Sequence, residues 1–126
     1  MYYPVLIDLQ GQRCVVVGGG DHAAEKVTGL LDAGAEVSVI ARSLVPDLGS
    51  LNGKGKIKWI MRDYLHGDLD GAFLVISTLM TPDENRKIRQ EAIVRNILVN
   101  AMDDVPNCNF IAPSIVRRGD LTVAIS

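Results

Sequence analysis

The chain has 126 residues, 48% hydrophobic and 22% charged, a size and mix that support one buried core and exclude a disordered segment. Thirteen Lys and Arg against fifteen Asp and Glu leave a net charge of -2, which offers no general attraction to nucleic acid or to an anionic membrane. The apolar runs are too short for a membrane span and the start, Met1-Tyr-Tyr-Pro-Val-Leu-Ile-Asp8, lacks the basic region of a signal peptide, so a cytoplasmic protein is expected.

Cys14 to Val17 reads as the first strand, apolar on both faces and therefore central in a parallel sheet. Asp21 to Ala33 follows as a helix, because Ala24, Val27, Leu30 and Leu31 recur at the spacing of one buried stripe. Gly34 closes it in a position that favours positive φ. Val37 to Ala41 is a second strand, which completes a βαβ unit. Leu44 to Lys56, rich in Gly, Asn and Ser, reads as an exposed loop with a partial helix. Ile57 to Met61 is a strand nearer the edge, Phe73 to Ser77 a central strand, Asp83 to Arg95 a helix begun by Pro82, and Ile97 to Asn100 a fifth strand. Phe110 to Val116 and Leu121 to Ile125 are strand-like, with Arg117-Arg-Gly-Asp120 between them as a hairpin turn. The expected architecture is α/β, a Rossmann-type doubly wound parallel sheet with a C-terminal β-hairpin-like extension.

Between the first strand and the first helix stands Gly18-Gly-Gly-Asp-His-Ala23, which fits G-x-G-x-x-A in the context that gives this pattern meaning. Gly18 permits a tight turn, Gly20 lets a pyrophosphate approach the backbone, and Ala23 lets the helix pack on the strand. The helix N–H groups and dipole would then face the phosphates. The cofactor-binding candidates are Gly18, Gly19, Gly20, Asp21, His22 and Ala23. A glycine-rich turn that binds nothing is the competing reading. The second strand ends in Ala41-Arg-Ser43, without the acidic residue that holds ribose hydroxyls in NAD sites. Arg42, with Ser43 beside it, could stack on adenine, pair with a 2′-phosphate or stay solvated, which leaves NAD and NADP both open.

Cys14 and Cys108 are too few and too far apart for a zinc ribbon. Cys14 is expected in the core and Cys108 at the surface. His22 and His66 do not form a ligand pair by spacing, and no structural metal is expected.

Taken together, Tyr3 to Leu9, Val16 to Lys26, Ala33 to Val39, Asp70 to Ile76, Val99 to Asp103 and above all Asn109-Phe-Ile-Ala-Pro-Ser-Ile-Val-Arg-Arg-Gly-Asp-Leu-Thr-Val-Ala-Ile-Ser126 resemble the N-terminal domain of the siroheme synthase and precorrin-2 dehydrogenase family. The resemblance implies a dehydrogenase that uses NAD to oxidise precorrin-2 to sirohydrochlorin, in a family where some members also insert ferrous iron and some are fused to a methyltransferase. It implies a catalytic role for Asp103, which would accept a proton or orient the macrocycle. Many members carry a Thr and an acidic residue after the fourth strand. This chain has Ser77-Thr-Leu-Met-Thr81 there, so Ser77 and Thr78 are the candidates for that side of the cleft. A substrate rich in carboxylates would need cations, for which Arg117 and Arg118, and also Arg86 and Lys87, are candidates.

The family normally continues through a helical dimerisation segment. Residues 1–113 are therefore expected to be an NAD-binding Rossmann domain, and 114–126 the start of a truncated dimerisation and active-site segment of a longer protein. The apolar strand Leu121 to Ile125 needs a pairing partner, either within the sheet or in a second subunit, and a homodimer is expected. The alternative from another class is a non-catalytic dinucleotide-sensing Rossmann module, which gives no reason for the Asp103 and Phe110-to-Ser126 matches.

Overall fold

The computed structural model describes residues 1–112 in full and, beyond them, the backbone of two strands, Ser114–Arg118 and Leu121–Ile125. Five parallel strands form the central sheet: β1 (Arg13–Val17), β2 (Glu36–Ile40), β3 (Lys58–Ile60), β4 (Leu74–Ser77) and β5 (Leu98–Ala101). Their order is β3-β2-β1-β4-β5, the first five places of the doubly wound order of a Rossmann sheet.

Helices cover both faces, which is why β1 and β4 carry apolar residues without alternation. Cys14 and Val16 belong to a core shared with Val27 and Leu30 of α1 (Asp21–Asp32) and Leu48 of α2 (Pro46–Gly53). Val15 and Val17 belong to the opposite core, with Ile88 and Ala92 of α3 (Pro82–Val94). Each fully buried valine of β1 contributes on the order of 1.5–3 kcal/mol.

Both long helices stop on a residue in the left-handed region. Gly34, at φ 82°, gives its N–H to Leu31 while the Ala35 N–H reaches Leu30. At the end of α3, Asn96 takes φ 58° and the Ile97 N–H reaches Ala92. Both ends satisfy carbonyls that the last helical turn leaves unpaired.

Two connections take a form that the sequence left open. The segment after β2 holds the expected partial helix as α2, eight residues long: Pro46 sets its start and the fully buried Leu48 anchors it to the core. Between β3 and β4 no helix forms. Instead Tyr64 and Leu69 enter the core from an irregular loop, and Glu91 of α3 accepts hydrogen bonds from that loop.

Beyond β5, a short turn of 3-10 helix (Val105–Asn107) precedes β6 (Ser114–Arg118) and β7 (Leu121–Ile125), which pair antiparallel as a separate two-stranded sheet. The register Arg118↔Leu121 places Arg117 and Arg118 in the strand rather than in the turn. The turn residues 119–120 lie outside the described residues. No helix is long and apolar enough to cross a membrane among the described residues.

Candidate functional site

The five strands end in one row, with Ile60, Ile40, Val17, Ser77 and Ala101 side by side across the sheet. Because every strand is parallel, each following loop leaves from this edge. Gly18 to Gly20 follow β1, Arg42 and Ser43 follow β2, Asp63 follows β3, Thr78 follows β4 and Asp103 follows β5. The chain winds in opposite directions on the two sides of the β1–β4 pair, and such a reversal is where an open α/β sheet leaves its ligand crevice.

A cleft of about 710 Å³ opens there, lined by Gly18, Gly19, Gly20, Arg42, Ser43 and Asp63 among others, with Tyr64 and Leu79 as its apolar wall. The three glycines have three different reasons. Gly18 holds φ +121°, and a β-carbon on it would overlap Thr78 Oγ1. A β-carbon on Gly19 would overlap the Ser43 carbonyl oxygen. One on Gly20 would meet no protein atom within 4 Å. The chain's own packing accounts for the first two glycines, and the third is explained by an approach from outside.

The turn is pinned. Gly18 N–H donates to the Ile40 carbonyl at 2.9 Å and Val45 N–H to the Gly19 carbonyl at 2.9 Å. Gly20 is the N-cap of α1 and provides no capping side chain, so the first N–H groups of the helix remain available to an anion. Ala23 is fully buried under this turn. The side chains of Asp21 and His22 are exposed at the helix start and do not line the cleft, so what these residues offer is backbone N–H.

On the other side of the switch point neither candidate after β4 lines the cleft, and each holds a different part of the fold. Thr78 donates its hydroxyl to the Val17 carbonyl at 3.0 Å, which braces it against Gly18. Ser77 turns inward: it is fully buried and donates to Asn85 Oδ1 at 2.6 Å, so it fastens α3 to β4 instead of lining the cleft. Asn85, itself buried, passes the connection on to Asp104 Oδ2 at 3.1 Å, and Asn107 Nδ2 reaches the same oxygen at 2.9 Å.

Adjacent aspartates therefore differ in kind. Asp104 is committed to bracing α3, whereas Asp103 is exposed and makes no hydrogen bond or ion pair among the described residues. Asp103 sits at φ 57°, a left-handed conformation that Asp tolerates better than most side chains. It stands two residues past the strand-end row, on the far side of β4 from the glycine turn.

The loop after β3 supplies residues that the sequence reading did not anticipate. Asp63 Oδ2 lies 2.8 Å from Arg42 Nη2 at the cleft rim. On either side of Asp63 the loop is clamped. Arg62 makes two hydrogen bonds to Asp68, each 2.7 Å, and the Tyr64 hydroxyl donates to Glu91. Glu91, 1% exposed, also accepts from the N–H groups of Gly67 at 3.0 Å and Leu69 at 3.2 Å and from Arg95 Nε at 2.8 Å. Burial pushes its pKa upward, but the hydrogen bonds from Tyr64, Gly67, Arg95 and Leu69 outweigh it and hold the carboxyl below the usual range. Burial also raises the Tyr64 hydroxyl well above its ordinary value, aided by its bond to Glu91. Nothing local in Arg62-Asp63-Tyr64 signals these roles, because each partner comes from another element.

Arg86 pairs with Asp83 at 2.7 Å and Lys87 with Glu84 at 3.7 Å, both on exposed α3 surface. The side chains of Arg117 and Arg118 lie outside the described residues. Cys14 is buried, and its thiol is pushed up to about 11 by that burial. Cys108 is half-buried rather than exposed, and its Sγ bridges the Ala101 N–H and carbonyl at 3.1 and 3.2 Å.

A doubly wound sheet with a G-x-G-x-x-A turn, an uncapped helix start and an open cleft above both defines a dinucleotide-binding domain. A family model described as "Putative NAD(P)-binding" matches residues 5–114, and the chain belongs to this NAD(P)-binding family. It is 43% identical over 125 residues to siroheme synthase 1 of Serratia proteamaculans (strain 568), covering 99% of this chain and 26% of that protein. It is 41% identical over 125 residues to the siroheme synthase of Photorhabdus laumondii subsp. laumondii, covering 99% of this chain and 27% of that protein. The fold superimposes on SirC, precorrin-2 dehydrogenase, with a TM-score of 0.87 and 28% identity, covering 99% of this chain and 61% of that one. The chain spans about a quarter of the length of these curated relatives.

Proposed function

We propose that this chain is the cofactor-binding part of an NAD-dependent precorrin-2 dehydrogenase, which forms sirohydrochlorin on the way to siroheme. The observation that carries the reading is Gly20: the one glycine of the turn whose missing β-carbon serves no contact within the protein, set on an uncapped helix start. That cradle fits a pyrophosphate, and the similarity to siroheme synthases and to SirC, precorrin-2 dehydrogenase, supports the substrate.

Gly18 to Gly20 and the first N–H groups of α1 hold the phosphates. Thr78 fixes the turn's shape, and Arg42 and Ser43 border the adenosine side. NAD, when bound, supplies the hydride acceptor. Asp103 borders the substrate at the open end of β5. Oxidation of the tetrapyrrole releases a proton along with the hydride, and the Asp103 carboxylate, free of other partners among the described residues, accepts that proton or orients the macrocycle. The same carboxylate could take pyrrole protons during insertion of ferrous iron, a second activity this reading accommodates. Arg117 and Arg118 of β6 pair with substrate carboxylates.

The protein acts in the cytoplasm as a homodimer. The exposed apolar start of the chain, with Tyr3 and Leu6 each 87% exposed, supports a partner surface. Gel filtration that finds a monomer at high concentration would remove the dimer.

The test is NADH formation from NAD and precorrin-2 under anaerobic conditions, with Asp103→Asn run beside the wild type. The expected result is unchanged NAD binding and turnover lower by at least about a hundredfold in the variant. Binding of NAD without any oxidation, in the whole protein that contains this domain, would favour the sensing module instead.

A further inference from the structure

The cleft lacks an acidic residue at the end of β2, where Ala41-Arg42-Ser43 stands, and yet a carboxylate reaches the same place from the neighbouring strand. β3 pairs with β2 in register Ile40↔Ile60, so the loops after the two strands leave side by side. Asp63, three residues past Ile60, meets Arg42, two residues past Ile40, at 2.8 Å, and both line the cleft over the glycine turn. From this geometry we infer that Asp63 is the ribose-recognising carboxylate of the cofactor site and that, paired with Arg42, it selects NAD over NADP. The inference rests on the dinucleotide reading above and deepens it.

The chemistry follows from the charges. In a dinucleotide lying across the switch point, the adenosine half extends over the β2 side, where its ribose hydroxyls need an acceptor. A carboxylate can receive both hydroxyls. The same carboxylate repels a 2′-phosphate, and it also neutralises Arg42, the cation that would otherwise attract that phosphate. Arg42 alone would favour NADP, and the pair reverses that preference.

An isolated surface ion pair would wander and could not discriminate. This one is anchored on the Asp63 side. Arg62, whose guanidinium is fastened to Asp68, also gives Nη1–H to the Asp63 carbonyl at 3.0 Å, while the next residue, Tyr64, is buried and bonded to Glu91. The backbone of Asp63 is thus held from both sides. On the Arg42 side, Trp59 Nε1–H holds the Ala41 carbonyl at 2.8 Å and the Ala41 N–H reaches Ile60 at 3.1 Å.

Calorimetric titration of NAD and NADP into the wild type, Asp63→Asn and Arg42→Ala tests the assignment by the ratio of the two dissociation constants, with no turnover required. The wild type is expected to prefer NAD. Asp63→Asn, an exposed near-isosteric change, is expected to move the ratio towards NADP by roughly tenfold or more. Adding Arg42→Ala to Asp63→Asn is expected to remove the NADP gain. A ratio unchanged in Asp63→Asn, or a wild type that prefers NADP, would overturn the pair's role while leaving the dinucleotide site intact. A wild type that binds neither nucleotide would overturn the site itself and this assignment with it.

Discussion

The hydroxyl of Thr78 occupies the space that a β-carbon on Gly18 would need, and that hydroxyl is itself tied to the Val17 carbonyl at 3.0 Å. The first glycine of the motif is thus fixed by the fourth strand's following residue as much as by its own φ of +121°. Gly18→Ala is expected to lose about 1–3 kcal/mol of stability from strain and overlap together. Denaturant unfolding measures this, and a loss restored largely by adding Thr78→Ala would identify the overlap as the greater part.

Gly20→Ala separates binding from folding. A methyl group there meets no protein atom within 4 Å, and the residue's φ of -91° suits any side chain. Its stability is expected to stay within about 0.5 kcal/mol of wild type, while dinucleotide affinity falls by at least about tenfold, because the methyl occupies the approach of the pyrophosphate. A melting point lowered as far as that of Gly18→Ala would mean that the third glycine is structural too.

Glu91 should dominate the response to acid. Its folded pKa is depressed, so its contribution is fully present above the ordinary carboxylate value of about 4.3 and is lost as pH falls through the lower folded value. Asp68, held down by its hydrogen bond to Arg62, adds in the same direction. Unfolding free energies taken from about pH 7 down to about pH 3 are expected to drop more steeply for wild type than for Glu91→Gln. Equal slopes would show that the buried carboxylate does not carry the acid sensitivity. At neutral pH, Glu91→Ala strands Tyr64 and two loop N–H groups and is expected to cost about 3 kcal/mol.

Neighbouring Asp103 and Asp104 should respond in opposite ways to removal of the carboxylate. Asp104→Ala leaves Asn85 Nδ2 and Asn107 Nδ2 each short of a partner and is expected to cost about 1–3 kcal/mol. Asp103→Asn keeps a side chain that tolerates the left-handed backbone and is expected to leave the thermal midpoint in place. Thermal melts of the two variants, compared directly, decide it.

Much of this was legible along the chain because local rules agree with one another here. A run such as Cys14-Val-Val-Val17 is apolar on both faces only if helices cover both faces, and Gly34 could close α1 because nothing else takes φ 82° so cheaply. The edge position of β3 followed from its alternation. Only a partial helix was legible after β2, without its bounds, because its Gly, Asn and Ser content resembles a loop, and the burial of Leu48 that anchors α2 is a tertiary fact. Ser77 was expected in the cleft because the family resemblance implies polar residues after the fourth strand, which Leu79 and Met80 cannot supply. Its orientation depends on Asn85, eight residues on, whose side chain no periodicity reveals. Asp63 and Glu91 were illegible for the same reason: each acts on a different segment of chain, and only the pairing of β3 with β2 and the packing of α3 bring the partners together.

The measurement that bears most directly on the account is calorimetric titration of NAD into the wild-type chain and into Gly20→Ala at matched folding. The wild type is expected to show saturable one-site binding that weakens by at least about tenfold in the variant. Absence of binding to the wild type, or equal affinity in the two proteins, would contradict it, because the space left by Gly20 would then hold no pyrophosphate.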